Sequence, residues 1–206
     1  MLTGDIACVS LMHFKFSFAR AGRAARALIR EHRLGLEPME LLRPAASGPT
    51  DYATLALVAD ALAPGRDDVF VDLGCGKGRA LCFMAQRSFR RIVGVELSPE
   101  DAVVARRNAE RMTRLTGASI RVEIGDASDF RCDEGTVYFL NDPFGAKTLK
   151  ECLARLRESL DARPRAVRIA YYYAVHGWLL DECPWLESLG RLGSSDVFLW
   201  RSRTSV

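Results

Sequence analysis

The sequence predicts an α/β fold: a doubly wound, mostly parallel sheet that closes with a C-terminal antiparallel hairpin and follows an N-terminal helical extension. Short apolar runs of strand length alternate with helix-length segments over residues 51–173. Continuous apolar strands separated by helices are typical of a parallel sheet covered on both faces. Near the C-terminus, two strand-like runs flank the turn Gly193-Ser194-Ser195, which predicts the hairpin.

Size and charge restrict the function classes. The 206 residues suit one domain with a small appendage, and the net charge of +3 is modest. Such a charge does not indicate a nucleic-acid binder, so a nucleic-acid partner is disfavoured. Residues 1–33 nevertheless carry six lysines and arginines against two acids. A solvated helix face explains this basic start, and contact with an acidic partner is the alternative.

Cysteine usage and hydropathy predict a soluble, cytoplasmic protein. The six cysteines contain no C-x-x-C pair, so neither a metal site nor a disulfide framework is expected, and reduced thiols fit the cytosol. The apolar stretch Ile6–Ala19 is too short to span a bilayer and is interrupted by His13 and Lys15. It also lacks the small-residue cleavage site of a signal peptide, and no membrane partner is expected.

The N-terminal extension is separated from the main domain by helix-breaking residues. Helical spacing of alanine, leucine and isoleucine predicts a helix over Phe18–Arg33. Glycines and prolines between Leu34 and Pro49 predict a connecting segment, and a second helix is expected over Asp51–Leu62. We therefore divide the chain into residues 1–48, a lid or contact surface, and residues 49–206, the main domain.

The remaining elements follow in alternation. The predicted strands are Val69–Leu73, Arg91–Glu96, Ile120–Ile124, Thr136–Leu140, Ala166–Tyr173, Trp185–Leu189 and Val197–Arg201. The predicted helices between them are Arg79–Arg87, Pro99–Thr116 and Leu149–Leu160.

A glycine-rich turn after the first strand indicates a ligand site. In the run from Val69 to Arg79, a strand enters the turn Gly74-Cys75-Gly76-Lys77-Gly78 and a helix follows. Glycines permit positive φ and close ligand approach, and the helix start offers free amides. A dinucleotide fingerprint would need glycine in place of Arg79, and the Asp72 carboxylate suits an ammonium group better than a pyrophosphate. The turn therefore predicts a zwitterionic, phosphate-free ligand; a purely structural turn is the alternative.

This segment resembles the first motif of class I S-adenosylmethionine-dependent methyltransferases, which have a seven-strand, Rossmann-like fold. The resemblance covers about residues 50–202 and implies S-adenosylmethionine as cofactor. It implies that the methionine part of the cofactor binds at the turn, through Asp72, Gly74, Cys75, Gly76 and Gly78.

Two further motifs match the family in the expected order. Glu96 ends the second strand and is followed by Leu97, and the resemblance implies that its carboxylate binds the ribose hydroxyls. Gly125-Asp126-Ala127 resembles the adenine-binding turn, so Asp126 and Ala127 are implied to contact the base. An exposed strand-end glutamate and a local Asp turn are the alternatives.

The fourth motif is Asn141-Asp142-Pro143-Phe144, at the end of the fourth strand. Amino-methylating relatives carry an acid or Asn, then two prolines and an aromatic residue there; this chain has one proline. The resemblance implies that Asp142 and Asn141 orient the acceptor, that Phe144 walls the site and that Asn141 also contacts the cofactor. A turn with a core anchor is the alternative.

Other segments bear on the acceptor. Gly48-Pro49-Thr50-Asp51-Tyr52 is similar to a segment that closes over the cofactor in seven-strand lysine methyltransferases, including the non-SET histone type. Tyr171-Tyr172-Tyr173 ends the fifth strand, where alternation predicts that Tyr171 and Tyr173 share a face. His176 follows as a candidate base, with a surface histidine as the alternative.

Together these observations predict a methyltransferase whose acceptor is an amine, such as a protein lysine. A small-molecule methyltransferase of specialised metabolism is the second hypothesis, with the N-terminal helix enclosing the acceptor. A cofactor-binding interaction protein without transfer activity is the third. Arg79 and Asp72 disfavour a nicotinamide enzyme. Nucleic-acid methylation stays open, although no RNA-binding module is appended. The acceptor's identity and the oligomeric state are not predicted.

Overall fold

The computed structural model describes residues 22–39, 48–131 and 133–203. Its helices are α1 (residues 22–34), α2 (Tyr52–Leu62), α3 (Arg79–Met84), α4 (Pro99–Thr116), α5 (Ala146–Ala162) and α6 (Trp178–Asp181). Its strands are β1 (Val69–Leu73), β2 (Arg91–Glu96), β3 (Ile120–Ile124), β4 (Val137–Asn141), β5 (Arg168–Tyr172), β6 (Leu186–Arg191) and β7 (Val197–Ser202). The predicted helix start at Phe18 and the stretch Ile6–Ala19 lie outside the described residues.

The strands form one seven-stranded sheet in the order β3-β2-β1-β4-β5-β7-β6. Neighbouring strands from β1 to β5 run parallel, whereas β7 pairs antiparallel with both β5 and β6. The predicted fold class, including the terminal hairpin, is confirmed. In the part of the chain that the structure describes, no helix is long and apolar enough to cross a membrane.

Helices cover both faces of the sheet. All five residues of β1 are buried, which explains its unbroken apolar run. Alternate side chains enter two cores: Phe70 packs with residues of α2, α3 and α4, and Val71 packs with residues of α5 and α6. The reversal of strand order beside β1 places the ends of β1 and β4 at a cleft, as expected for doubly wound sheets.

Helix caps fix the boundaries that the sequence predicted best. The Ser98 side chain accepts a hydrogen bond from the Asp101 amide at the start of α4, Pro99 follows it, and Gly117 ends the helix with φ at +76°. Helix α3 ends at Met84, short of the predicted Arg87. The chain tightens there into i to i+3 bonds, including that from the Arg87 amide to the Met84 carbonyl, 2.9 Å.

Two C-terminal features differ from the predictions. Tyr173 has φ at +52° and lies outside β5, so the prediction that it shares a face with Tyr171 is wrong. The turn brings the Tyr173 ring beside that of Tyr172, with the ring centroids 4.1 Å apart and the ring planes tilted by 31°. The four-residue helix α6 was not predicted, because so short a segment shows no helical period.

Candidate active site

A cleft of about 320 Å³ opens at the carboxyl ends of β1, β2 and β4. The predicted site residues that line it are Asp72, Gly74, Cys75, Gly76, Glu96, Leu97, Asp126, Ala127, Asn141, Asp142 and Phe144. The sequence analysis did not assign several other lining residues: Met39, Lys77, Asp101, Phe139 and Thr148. Gly48, Pro49 and Thr50 also line the cleft, so its wall includes the segment before α2.

The three glycines of the first turn have different roles. Each has a positive φ. A Cβ on Gly74 would lie 2.4 Å from the Cβ of Pro143, so Gly74 lets the turn after β4 pack against the turn after β1. Gly76 faces open space in the cleft, where a ligand can approach its backbone. Gly78 lies outside the cleft lining and packs α3 against Ala105 of α4.

Asp72 presents a buried carboxylate to the cleft. Its side chain is 3% exposed and accepts no hydrogen bond from the described residues. Burial, with a smaller contribution from the negative charge of Glu96, raises the pKa of Asp72 to about 8. A cationic group in the cleft would favour the ionised form of Asp72 and pair with it.

Glu96 is held in one orientation by the backbone. Its Oε2 accepts a hydrogen bond from the Gly76 amide and its Oε1 accepts one from the Ser98 amide, each at 2.8 Å. A carboxylate has about four acceptor positions, so two bonds leave capacity on both oxygens. The arrangement suits a ligand that offers two vicinal hydroxyl groups.

Asp126 sits in a tight local turn at the cleft edge. Its Oδ1 accepts hydrogen bonds from the backbone amide and the hydroxyl of Ser128, both at 2.8 Å. These bonds hold the pKa of Asp126 below its usual range, because they favour the ionised form. The carboxylate is thus fixed, and both Asp126 and Ala127 line the cleft.

The motif after β4 is anchored on both sides. Asn141 donates its Nδ2 to the Gly48 carbonyl at 3.0 Å, which leaves its Oδ1 as an acceptor. Asp142 has φ at +38°, a conformation that costs a residue with a side chain about 1–3 kcal/mol. Its Oδ1 accepts a hydrogen bond from the Tyr171 hydroxyl at 3.2 Å. Burial and this neighbouring carboxylate raise the pKa of Tyr171.

Similarity to known proteins identifies the domain. Residues 70–162 match a family model described as a methyltransferase domain. Residues 70–162 form a methyltransferase domain, within a seven-stranded sheet of the class I, S-adenosylmethionine-dependent type. The matched segment includes β1 from its second residue, β2 to β4 and all of α5, and therefore all the cleft residues except those before α2.

One curated relative is the probable cobalt-precorrin-6B C(15)-methyltransferase (decarboxylating) of Methanothermobacter thermautotrophicus, 32% identical over 89 residues. That match covers 43% of this chain and 45% of the relative, so the chain spans less than half of that protein's length.

Two solved structures support the methyltransferase fold. An RNA methyltransferase from Salinibacter ruber, in complex with S-adenosylhomocysteine, is 20% identical, with TM-score 0.54 and coverage of 76% of this chain and 93% of that one. Precorrin 8w decarboxylase from Methanobacterium thermoautotrophicum is 19% identical, with TM-score 0.56 and coverage of 82% and 98%.

The residues of the cleft fit S-adenosylmethionine. The buried Asp72 carboxyl group suits the cofactor's ammonium group, and the fixed Glu96 carboxylate suits the ribose hydroxyls. Gly76 leaves open space beside its backbone where a Cβ would stand. Within the described ranges, no group of three His, Cys, Asp or Glu side chains is placed to hold a metal ion.

Proposed function

We propose that the protein transfers the methyl group of S-adenosylmethionine to an amine, such as a protein lysine. The observation that carries the proposal is the placement of Asp142. The strained backbone and the Tyr171 hydroxyl hold its carboxylate at the end of β4, beside the glycine turn that receives the methionine part of the cofactor.

The chain offers a separate contact to each part of the cofactor. Asp72 would accept from its ammonium group, and the backbone from Gly74 through Cys75 to Gly76 would hold its methionine part. Glu96 would accept from the ribose hydroxyls, and Leu97, Asp126 and Ala127 would hold the adenine. Asn141 closes the site from β4, because its Nδ2 is bonded to Gly48 of the opposite wall.

When bound, the cofactor supplies an electrophilic methyl group on a sulfonium. Transfer would form a bond from nitrogen to carbon and break the bond from that carbon to sulfur, which leaves S-adenosylhomocysteine as a neutral thioether, and the methylated amine would lose one proton to water. The Asn141 Oδ1 and the Asp142 carboxylate accept from the amine's N–H groups and so aim its lone pair. Phe144 packs against the core on the α5 side and excludes water. Such positioning supplies about 7–11 kcal/mol of barrier reduction in well-oriented reactions.

The proposal is tested first by calorimetric titration with S-adenosylmethionine, then by transfer of labelled methyl groups into cell extract. We expect Asp142→Ala to lower turnover about a hundredfold, the cost of losing orientation, with little change in cofactor affinity. Glu96→Ala should instead weaken cofactor binding. An equal loss of turnover and cofactor affinity in Asp142→Ala would move Asp142 from the acceptor site to the cofactor site.

A small-molecule acceptor is the second candidate, favoured by the wall that Met39 and Thr50 add to the cleft. Both residues are buried, so the extension at Met39 and the segment before α2 at Thr50 enclose this side of the cleft rather than leaving an open groove. Digesting the labelled extract separately with protease and with RNase distinguishes the acceptors. Label released only by protease indicates a protein, label released only by RNase indicates RNA, and label already soluble before digestion indicates a small molecule.

A further inference from the structure

We propose that Glu31 is a positioning residue that makes the N-terminal extension part of the cofactor site. Through Glu31, docking of the extension and binding of the cofactor are coupled. This inference rests on the proposed function, because it concerns the same cleft.

Glu31 is the buried centre of a polar cluster. Its side chain is 1% exposed and that of Arg79 is 4% exposed. Glu31 Oε1 accepts from Arg79 Nε and lies near an Arg79 terminal nitrogen, both at 2.8 Å, and accepts from the Tyr52 hydroxyl at 3.2 Å. Glu31 Oε2 accepts from the Met39 amide at 3.1 Å. One carboxylate therefore joins α1, the segment after it, α2 and α3.

Two partners of this carboxylate are themselves walls of the cleft. Arg79 opens α3 immediately after the glycine turn, and Met39 faces the cleft from the extension. The Glu31 side chain fixes both, although it does not line the cleft. Removing the extension would therefore remove both Met39 from the cleft lining and the Glu31 carboxylate that orients Arg79.

Asn108 adds a second tether between the same parts. Its Oδ1 accepts from the Glu37 amide at 2.7 Å, and its Nδ2 donates to the Lys77 carbonyl at 3.2 Å. Lys77 belongs to the glycine turn and lines the cleft. The extension is thus linked twice to the C-terminal side of the turn, directly through Arg79 and by way of Asn108 to Lys77, and any ligand that orders the turn favours the docked extension.

Such coupling is reciprocal: if docking strengthens cofactor binding, cofactor binding strengthens docking by the same factor. We expect Glu31→Gln, which keeps the size but removes the charge, to raise the Kd for S-adenosylhomocysteine about tenfold, within the usual range of coupling between sites. The matched control is Glu37→Gln, the same chemical change in the same segment. The Glu37 side chain pairs with Arg107 at the exposed surface, so the Glu37→Gln protein should bind S-adenosylhomocysteine with an unchanged Kd.

Hydrogen exchange separates positioning from simple stabilisation. In the native protein, saturating S-adenosylhomocysteine should slow exchange of the amides over residues 34–39, and in Glu31→Gln this slowing should be lost. A residue that only stabilises the fold would lower Tm but leave the Kd and the ligand-dependent protection as they are. Unchanged Kd and protection in a folded Glu31→Gln protein would overturn the proposal.

Tyr52→Phe keeps the test decisive if Glu31→Gln does not fold. This variant removes one donor to the same carboxylate and should raise the Kd in the same direction, by a smaller factor. Unchanged affinity in Tyr52→Phe would then overturn the role of Glu31. Absence of cofactor binding by the native protein would instead contradict the proposed function, so the two failures are distinguishable.

Discussion

At the scale of single residues, the cleft depends on contacts between loops rather than on isolated side chains. Gly74 is required because Pro143 packs against it, and Asp142 keeps a left-handed backbone while its carboxylate is bonded to Tyr171. Strain of this kind persists where the surrounding structure fixes it. The turns after β1 and β4 are therefore one unit, and a change in either should affect both.

Gly74→Ala tests that unit. The alanine would adopt an unfavourable φ, which alone costs about 1–2 kcal/mol, and its Cβ would also clash with Pro143. We therefore expect the free energy of unfolding to fall by more than that amount. Binding of S-adenosylmethionine should weaken as well. Gly117→Ala is the control, because Gly117 also has a positive φ but no neighbouring atom within 4 Å. Urea unfolding and calorimetry measure both effects. Equal destabilisation of the two variants would show that the clash with Pro143 does not contribute to the loss of stability.

Asp72 should make the stability of the ligand-free protein depend on pH. Its pKa in the folded protein is raised to about 8 from 3.8, so the folded state holds a proton that the unfolded state has already lost. The stability contribution of this group is therefore fully present below about pH 4 and is lost as pH rises towards 8. We expect Asp72→Asn to flatten this decline and to be more stable than the native protein at pH 8, by about 1–3 kcal/mol.

Cofactor binding should shift the pKa of Asp72 in the opposite direction to burial. A cationic ammonium beside Asp72 lowers its pKa, so cofactor binding at pH 7 should release protons from the native protein. Titrations in buffers of different ionisation enthalpy measure that release. Asp72→Asn should bind the cofactor more weakly and without this proton release. Equal proton release by both proteins would assign the titration to another group.

The sequence predicted that Asp72, Glu96, Asp126 and Asp142 line the cleft, but it missed Asp101 and did not predict how the acidic residues are held. Asp72 and Glu96 end parallel strands, so their placement at one sheet edge follows from the pattern alone. Glu31 lies on a basic, alanine-rich helix, where a solvated acid is the ordinary interpretation, and its partner Arg79 is 48 positions away. No local pattern links two such residues, because their contact depends on how the extension docks.

At the scale of elements, boundaries were predictable where a side chain or a glycine marks them. Ser98 and Gly117 mark the ends of α4, and the predicted range matches the observed one. Helix α5 begins at Ala146, three residues before the predicted start at Leu149. Its N-cap is Gly145, which has no side-chain capping bond, so the sequence carried no signal there.

The terminal hairpin is joined to α6 by Trp200 of β7. This side chain is 2% exposed, and its Nε1 donates to Asp181 at 2.8 Å. We expect Trp200→Ala to lower the free energy of unfolding by about 3–5 kcal/mol, as for other buried aromatic truncations. Trp178→Ala is the control; Trp178 is 51% exposed and should change stability by about 0.5 kcal/mol or less. A small effect of Trp200→Ala would show that the hairpin is not integral to the core.

At the scale of the whole molecule, the mostly parallel sheet followed from the alternation of strands and helices, whereas the arrangement of the extension did not. Parallel strands joined by helices restrict the topology to a few possibilities. Residues 22–39 contact the main domain through hydrogen bonds that involve Arg79, Asn108 and Arg111. Arginine and asparagine are also common on solvated surfaces, so their buried role was not visible in composition or period.

Cofactor binding should stabilise the whole described fold, including the extension. A ligand at one hundred times its Kd adds about 2.7 kcal/mol, which in a chain of this size corresponds to a rise in Tm of about 5–10 °C. We expect this rise with S-adenosylhomocysteine and none with NAD, because the turn has Arg79 and Asp72 where a dinucleotide site needs glycine and no carboxylate. A shift with NAD alone would contradict the cofactor assignment.

At the same ligand concentration, Glu31→Gln should show a rise in Tm that is smaller by about 3–5 °C, since a tenfold weaker Kd removes about 1.4 kcal/mol of that stabilisation. Differential scanning fluorimetry of the two proteins therefore measures, in one experiment, whether the cofactor binds and whether the extension contributes to its binding.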